Sequence, residues 1–181
     1  MKKIQIRPID EKDRDWVIKL LNEEWGSALI VAGGKKHFAD RLPGYIAEMD
    51  DSRAGLLTYE MRRKVCGIIS LNSLQENNGI GTLLIDTLVE KAIELKCGKI
   101  ILHTTNDNLH ALRFYQKRNF RIVGIFPDAV VEARKIKPSI PLIGQNGIPV
   151  RDEIKLELVL GKKRNEKAGV CVQGGEKNKY P

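Results

Sequence analysis

Leu71-Asn-Ser-Leu-Gln-Glu-Asn-Asn-Gly-Ile-Gly-Thr-Leu-Leu84 is the stretch on which the reading of this chain turns. An apolar strand, Val65 to Leu74, leads into it, and a polar turn ends at Asn77-Asn78-Gly79-Ile80-Gly81. Ile80, Leu83, Leu84, Leu88, Ala92 and Leu95 then recur at helical spacing. A strand that opens through a Gly-rich turn onto a helix leaves the first backbone N–H groups without intrahelical acceptors, at the positive end of the dipole. That geometry suits a phosphate or diphosphate, and the missing Cβ atoms of Gly79 and Gly81 let an anion approach closely. Taken alone, Gly-x-Gly equally marks a tight strand-to-helix turn with no ligand.

Downstream, Gly98 reads as the stop of that helix, and Lys99-Ile-Ile-Leu-His-Thr104 as a short strand buried on both faces. The strand–turn–helix–strand unit makes the two strands parallel, with a right-handed crossover. His103 reads as a satisfied core or edge histidine. Asn106-Asp107-Asn108 then supplies caps for a helix from Leu109 to Arg118. Asn119 can adopt the left-handed conformation that ends it, with Phe120 packing back on Phe114 or Tyr115.

Asn108-Leu-His-Ala111-Leu-Arg-Phe114-Tyr115-Gln-Lys-Arg-Asn119-Phe120, taken with the Gly79–Gly81 turn, resembles motifs of the GNAT family of N-acetyltransferases. The family's phosphate turn reads Gln/Arg-x-x-Gly-x-Gly/Ala, and its later helix Asn-x-x-Ala-x-x-Phe-Tyr-x-x-x-Gly-Phe. Two positions depart from it. Glu76 stands where the turn has Gln or Arg, with Gln75 one place early, and Asn119 stands where the helix ends in Gly. Asn is second to Gly in the left-handed conformation, so the second departure preserves the physics.

Upstream, Lys3 to Pro8 alternates as a first strand, and Trp16, Val17, Leu20, Leu21 and Trp25 follow at helical spacing. Asp10 is its candidate N-cap, and Asp13 sits in the first turn where the dipole favours it. Trp16 reads as a core anchor, and Trp25, at the helix end, as core or pocket wall. Residues 26–44 hold a candidate short strand, Ala28 to Ala32, and turn chemistry at Gly33-Gly34-Lys-Lys-His37; their length and glycine pair suit a mobile substrate loop. His37 beside two lysines reads as solvated. Tyr45–Met49, Gly55–Met61 and Lys64–Leu71 form an antiparallel meander, turning at Asp51-Ser52-Arg53 and at Arg62-Arg63. Gly67 marks a candidate bulge or close approach. Arg121 to Phe126 reads as a strand, Val130 to Lys135 as a short helix within a Pro-rich insertion, and Glu153 to Leu158 as a strand antiparallel to residues 121–126.

The expected fold class is α/β: a mixed, mostly antiparallel sheet of about seven strands flanked by helices, of the acyl-CoA N-acyltransferase type. Residues 1–160 form the domain, and residues 161–181 read as a basic, disordered tail. The chain has 181 residues, with 31 Lys plus Arg against 23 Asp plus Glu. The tail holds six basic and two acidic side chains, half of the net charge of +8, so the folded body is only mildly basic. With no helix-turn-helix or RNP pattern, nucleic-acid binding finds no support. Three cysteines, with no Cys-x-x-Cys and no His at ligand spacing, argue against a disulfide framework and against a metal site, and point to a reducing compartment. No leader-like run and no membrane-spanning stretch is visible, and the chain is read as cytoplasmic.

The resemblance implies acetyl-CoA as co-substrate. Its diphosphate would lie on the backbone of Asn77, Asn78, Gly79, Ile80, Gly81 and Thr82, the Thr82 hydroxyl adding a contact. Its pantetheine would lie beside backbone near Leu71 to Leu74, with Leu74 and Asn108 as further contacts. Tyr115 would be the general acid, and a primary amine of a small molecule or peptide would attack directly, in a ternary complex. Cys66 and Cys97 lie in apolar runs without a His or a helix N-terminus to lower their pKa, so neither reads as a nucleophile. Glu48, Asp50 and Glu60 are candidate bases, each otherwise a solvated strand carboxylate. A homodimer is compatible with this reading. The rival readings are a catalytically silent acyl-CoA-binding module, which a transfer assay separates, and a Rossmann-type nucleotide domain. Leu84 at the third Gly position and the preceding meander count against the latter.

Overall fold

Alternating side chains build β1 (Ile4–Pro8) in the computed structural model, which describes residues 3–75, 78–144 and 147–161. α1 (Arg14–Trp25), β2 (Leu29–Ala32), β3 (Lys35–Phe38), β4 (Gly44–Met49), β5 (Ser52–Arg62) and β6 (Val65–Ser73) follow. After the turn come α2 (Ile80–Glu94), β7 (Lys99–Thr105), α3 (Leu109–Gln116), β8 (Arg121–Phe126), α4 (Ala129–Ile136) and β9 (Glu153–Val159). The main sheet has seven strands in the order β1-β4-β5-β6-β7-β9-β8. β6 and β7 are parallel, and every other neighbouring pair is antiparallel. The expected mixed sheet is therefore present, with β9 inserted between β7 and β8. The proposed tail, apart from Gly161, lies outside the described residues.

Helices cover both faces. On one, α2 and α3 bury Ile80, Leu84, Leu88, Tyr115 and Phe120 against Leu57, Cys66, Ile68, Ile100 and Leu102. Full burial of each large aliphatic side chain is worth roughly 1.5–3 kcal/mol, so α2 is held by its stripe rather than by propensity. On the other face, Val17, Leu20 and Leu21 of α1 pack with Ile30 of β2, Ile46 and Leu56, and Trp16 packs against them as a core anchor.

Several local expectations shift. Residues 26–44, anticipated as a mobile loop, contain a two-stranded hairpin, β2–β3, turning at Gly33-Gly34. The meander turns at Asp50-Asp51, where φ is +51° and +60°, because a two-residue loop with both residues left-handed matches the twist of the strands. The next turn is Arg63-Lys64 rather than Arg62-Arg63, with Arg63 at φ +55°. α2 ends at Glu94 and the left-handed residue that stops it is Lys96 (φ +57°), not Gly98: Cys97 N–H reaches back to Ala92 O at 2.8 Å, and the Cys97 side chain, 7% exposed, packs into the core. Gly98 instead bonds Lys64 O and Leu160 N–H, tying β7 to its neighbours. β7 is buried on one face rather than both, through Ile100 and Leu102.

Asp13 is not a surface dipole partner. It is fully buried, accepting from Arg7 Nη1 at 2.5 Å, Arg53 Nη2 at 2.7 Å and the Asp10 N–H at 3.0 Å. The Arg7 hydrogen bonds, working against burial, hold its carboxyl well below the usual carboxylate range. The pairs join the segment before α1 to β1 and β5.

Candidate active site

β6 and β7 pair only from Val65↔Lys99 to Ile68↔Leu102, whereas β6 stays paired with β5 as far as Ser73↔Gly55. Beyond Ile68, therefore, no strand among the described residues lies beside the β7-facing edge of β6. The parting begins at a bulge. The β5–β6 register steps from Thr58↔Ser70 to Tyr59↔Ile68, leaving Ile69 without a partner. Gly67, the expected bulge, is regular, and a Cβ there would meet its neighbours no closer than 3.7 Å.

A cleft of about 370 Å³ opens where the strands part. Its strand wall is Leu71, Asn72 and Ser73, and its floor is the first turn of α2, Gly79 to Thr82. Leu83 N–H to Gly79 O, 3.0 Å, is the first bond of α2, so the N–H groups of Ile80, Gly81 and Thr82 have no intrahelical acceptor. No acidic side chain occupies this first turn, and its positive end is uncompensated from within the helix. The two glycines serve different ends. Gly79 caps the helix at φ +77°, whereas a Cβ on Gly81 would stand 3.0 and 3.2 Å from the Phe114 ring. Asn78 is exposed and Asn77 lies outside the described residues. Leu74 is past the end of β6, 42% exposed, its N–H given to Ala54 O at 2.9 Å, and it does not line the cleft.

α3 supplies the opposite wall. Asn108 caps it, its Oδ1 accepting from Ala111 N–H at 3.0 Å. At its other end Asn119 takes φ +66°, Asn119 N–H bonds Gln116 O and Phe120 N–H bonds Tyr115 O, closing the turn as the sequence leads one to expect. Phe120 then seats against Tyr115 at 5.3 Å, and Phe114 meets Tyr115 edge-on at 5.1 Å. Tyr115 is 6% exposed and lines the cleft with Asn108. Burial pushes its phenol up, against the opposing Arg118 charge, so it keeps its proton even where an ordinary tyrosine would lose it.

The family model described as the Acetyltransferase (GNAT) family matches residues 9–120. This chain belongs to that family. It is 44% identical over 154 residues to the uncharacterized protein YxbD of Bacillus subtilis, across 84% of this chain and 97% of the relative. It is 32% identical over 147 residues to YvbK of the same organism, an uncharacterized N-acetyltransferase, across 77% and 91%. Among solved structures, an IAA acetyltransferase from Bacillus cereus superposes with a TM-score of 0.68 at 25% identity, over 87% of this chain and all of that one. A GNAT acetyltransferase from Elizabethkingia anophelis, solved with acetyl-CoA bound, shares the fold at a TM-score of 0.66 and 24% identity, over 87% and 98%.

In this GNAT chain the cation of the cleft escapes the sequence reading. Arg118 gives Nη1 to Phe114 O at 2.8 Å and Nη2 to the Thr82 hydroxyl, with its guanidinium 3.6 Å from the Phe114 ring centroid. It thus places a cation beside the first turn of α2, although burial works against its charge. The signal was its position four residues after Phe114, on the same helical face. The Thr82 hydroxyl, expected to add a ligand contact, accepts this bond through its oxygen, which leaves its O–H to donate. Trp25 proves a pocket neighbour: its Nε1 donates to Asn72 Oδ1 at 3.1 Å.

Under β2–β3, on the far face of the sheet, lies a second cavity of about 110 Å³. His37, expected to be solvated, is tucked in there with Nδ1 3.1 Å from Glu60 Oε2. His103 Nδ1 lies 2.7 Å from Glu153 Oε1, and both Glu153 oxygens accept the Gly33 N–H, at 3.1 and 3.0 Å. Burial alone would raise the Glu153 carboxyl, yet it is lowered, because the hydrogen bonds from His103 and the Gly33 N–H and the neighbouring imidazoles outweigh that desolvation. Glu48 is tied to Arg7 at 2.8 Å and Asp50 lies in the β4–β5 turn, so of the three expected base candidates Glu60 is the one that lines this cavity. Among the described residues, no group of three or more His, Cys, Asp or Glu could hold a metal ion, and no helix is long and apolar enough to cross a membrane.

Proposed function

We propose that this acetyltransferase moves an acetyl group from acetyl-CoA to a primary amine of a small molecule or peptide, by direct attack in a ternary complex. The observation that carries the reading is the meeting, in one cleft, of a helix N-terminus whose first N–H groups lack intrahelical acceptors, an open strand edge and a buried tyrosine. Acetyl-CoA supplies an activated thioester and two phosphates. The Ile80–Thr82 N–H groups, with Arg118 at their side, face a diphosphate, and Asn78 and Gly79 shape the entry. The unpaired edge of β6, residues 69–73, offers main-chain partners to the pantetheine amides, as an added strand would use. A main-chain N–H of that edge can polarise the thioester carbonyl, a contribution of about 3 kcal/mol in comparable sites. Tyr115, protonated by virtue of its burial, gives its proton to the leaving thiolate. Asn108 holds α3 in place by its cap. Two buried free thiols, Cys66 and Cys97, suit a reducing, cytoplasmic setting.

The experiment is calorimetric titration of the protein with acetyl-CoA, followed by a screen of amines and peptides for CoA thiol release. Tight binding with turnover of at least one amine is the expected result. Absence of binding overturns the cofactor assignment, and binding with no turnover of any amine points to a silent acyl-CoA-binding module.

A further inference from the structure

Resting on the acetyl-transfer reading, we infer that His103, oriented by Glu153, is the general base that takes the proton from the acceptor amine. Its place in the sheet is the first argument. β6 and β7 stop pairing at Ile68↔Leu102, so His103 is the first β7 residue beyond the point where the strands part. Ile100 and Leu102 point into the α2–α3 core that contains Tyr115, and by strand alternation His103 points to the other face. A thioester lying in the parting would have the Tyr115 phenol on one side of the sheet and the His103 imidazole on the other. Acid and base then serve opposite ends of one displacement without competing for the same space.

The second argument is the hydrogen bonding. Nδ1 is 2.7 Å from the Glu153 carboxylate, which accepts from it, so the neutral ring carries its lone pair on Nε2. Among the described residues Nε2 has no hydrogen-bond partner, and the ring lines the cavity under the hairpin. Glu153 is itself fixed by the Gly33 N–H, and the hairpin tip covers the ring closely, a Cβ on Gly33 standing 3.2 Å from Nε2. This is the arrangement of an oriented base, in which a buried carboxylate sets the tautomer and balances the imidazolium that forms. His37 is not equivalent: its Nδ1 faces Glu60 and its Nε2 faces Ala32 O at 3.3 Å, so both nitrogens meet acceptors. The other charged groups around the cavity are Lys35 from β3 and Glu60 and Arg62 from β5, with Lys155 of β9 as the cross-strand partner of His103.

The step balances as follows. The acceptor ammonium gives one proton to Nε2, and the freed nitrogen lone pair attacks the acetyl carbonyl carbon. The C–N bond forms, the C–S bond breaks and the thiolate takes the Tyr115 proton. The new amide nitrogen sheds its second proton, which restores Tyr115 through solvent, and His103 releases its own, so one proton leaves per turnover.

The test uses methylamine, small enough for the cavity and an ammonium at neutral pH, with acetyl-CoA and the full chain. His103→Gln is expected to lower kcat/KM for methylamine by about 100-fold or more, within the range for general bases, and to remove the acidic limb of the pH–rate profile. Acetyl-CoA affinity, measured in parallel, stays unchanged. Trifluoroethylamine, unprotonated at neutral pH, loses much less. Glu153→Gln, a change at a positioning residue, gives a smaller loss and moves the acidic limb, and it carries the test should His103→Gln fail to fold. An unchanged methylamine rate and profile in either folded variant overturns the inference while leaving the cofactor reading intact, as does a wild type that binds acetyl-CoA without accelerating aminolysis. Failure of the wild type to bind acetyl-CoA overturns both.

Discussion

Gly79 and Gly81 stand two residues apart in the same turn, and their replacement by alanine should have opposite profiles. Gly79 has φ +77°, and nothing lies within 4 Å of where its Cβ would be, so Gly79→Ala meets backbone strain alone. Left-handed backbone costs an L-residue about 1–2 kcal/mol. For a domain of this size that lowers Tm by about 2–8 °C, with Gly79→Asn recovering part of the loss. At Gly81 the helical backbone welcomes alanine by roughly 0.5–1 kcal/mol, but the new methyl stands 3.0 and 3.2 Å from the Phe114 ring. The ring must give by a few tenths of an ångström, and it carries Arg118, whose Nη2 bonds Thr82. Gly81→Ala should therefore leave Tm nearly unchanged and weaken acetyl-CoA binding about tenfold, or about 1.4 kcal/mol. Thermal denaturation with and without acetyl-CoA, together with calorimetry, reads both effects. A wild-type Tm for Gly79→Ala, or a wild-type affinity for Gly81→Ala, would refute the separation of strain from packing.

Tyr115→Phe keeps the ring between Phe114 and Phe120 and removes the proton donor. Steady-state kinetics should show kcat down by about 100-fold or more with acetyl-CoA affinity within about twofold, and an unchanged kcat would make Tyr115 a packing residue. Asp13→Asn breaks a buried ion pair and should destabilise the fold by about 3 kcal/mol in urea, the low end for such pairs because Arg7 and Arg53 keep 23% and 34% exposure. The folded Asp13 carboxyl is depressed, so its contribution is fully present above the ordinary carboxylate range and is lost as pH falls through that range toward the folded value. The stability gap between wild type and Asp13→Asn should accordingly narrow in acid, and a gap that widens would contradict the pairing.

Local rules carried the reading of sequence into elements. The period-two and period-3.6 patterns placed the strands and α2, and Asn119 with Phe120 foretold the turn that ends α3, because such preferences depend on neighbours a few residues away. The Gly79–Gly81 turn and the helix that carries Tyr115 were legible as local structure for the same reason, each belonging to a contiguous motif. Tertiary structure alone decided what long-range pairing decides. Ile69, not Gly67, takes the bulge because its register is set by β5, and β9 enters between β7 and β8 because sheet order is a matter of assembled edges. Asp13 becomes the buried partner of Arg53, 40 residues away, and His103 meets Glu153 across 50. No spacing in a single chain announces such partners, because the pairing of a charge or an imidazole is decided when other segments pack around it and remove its water.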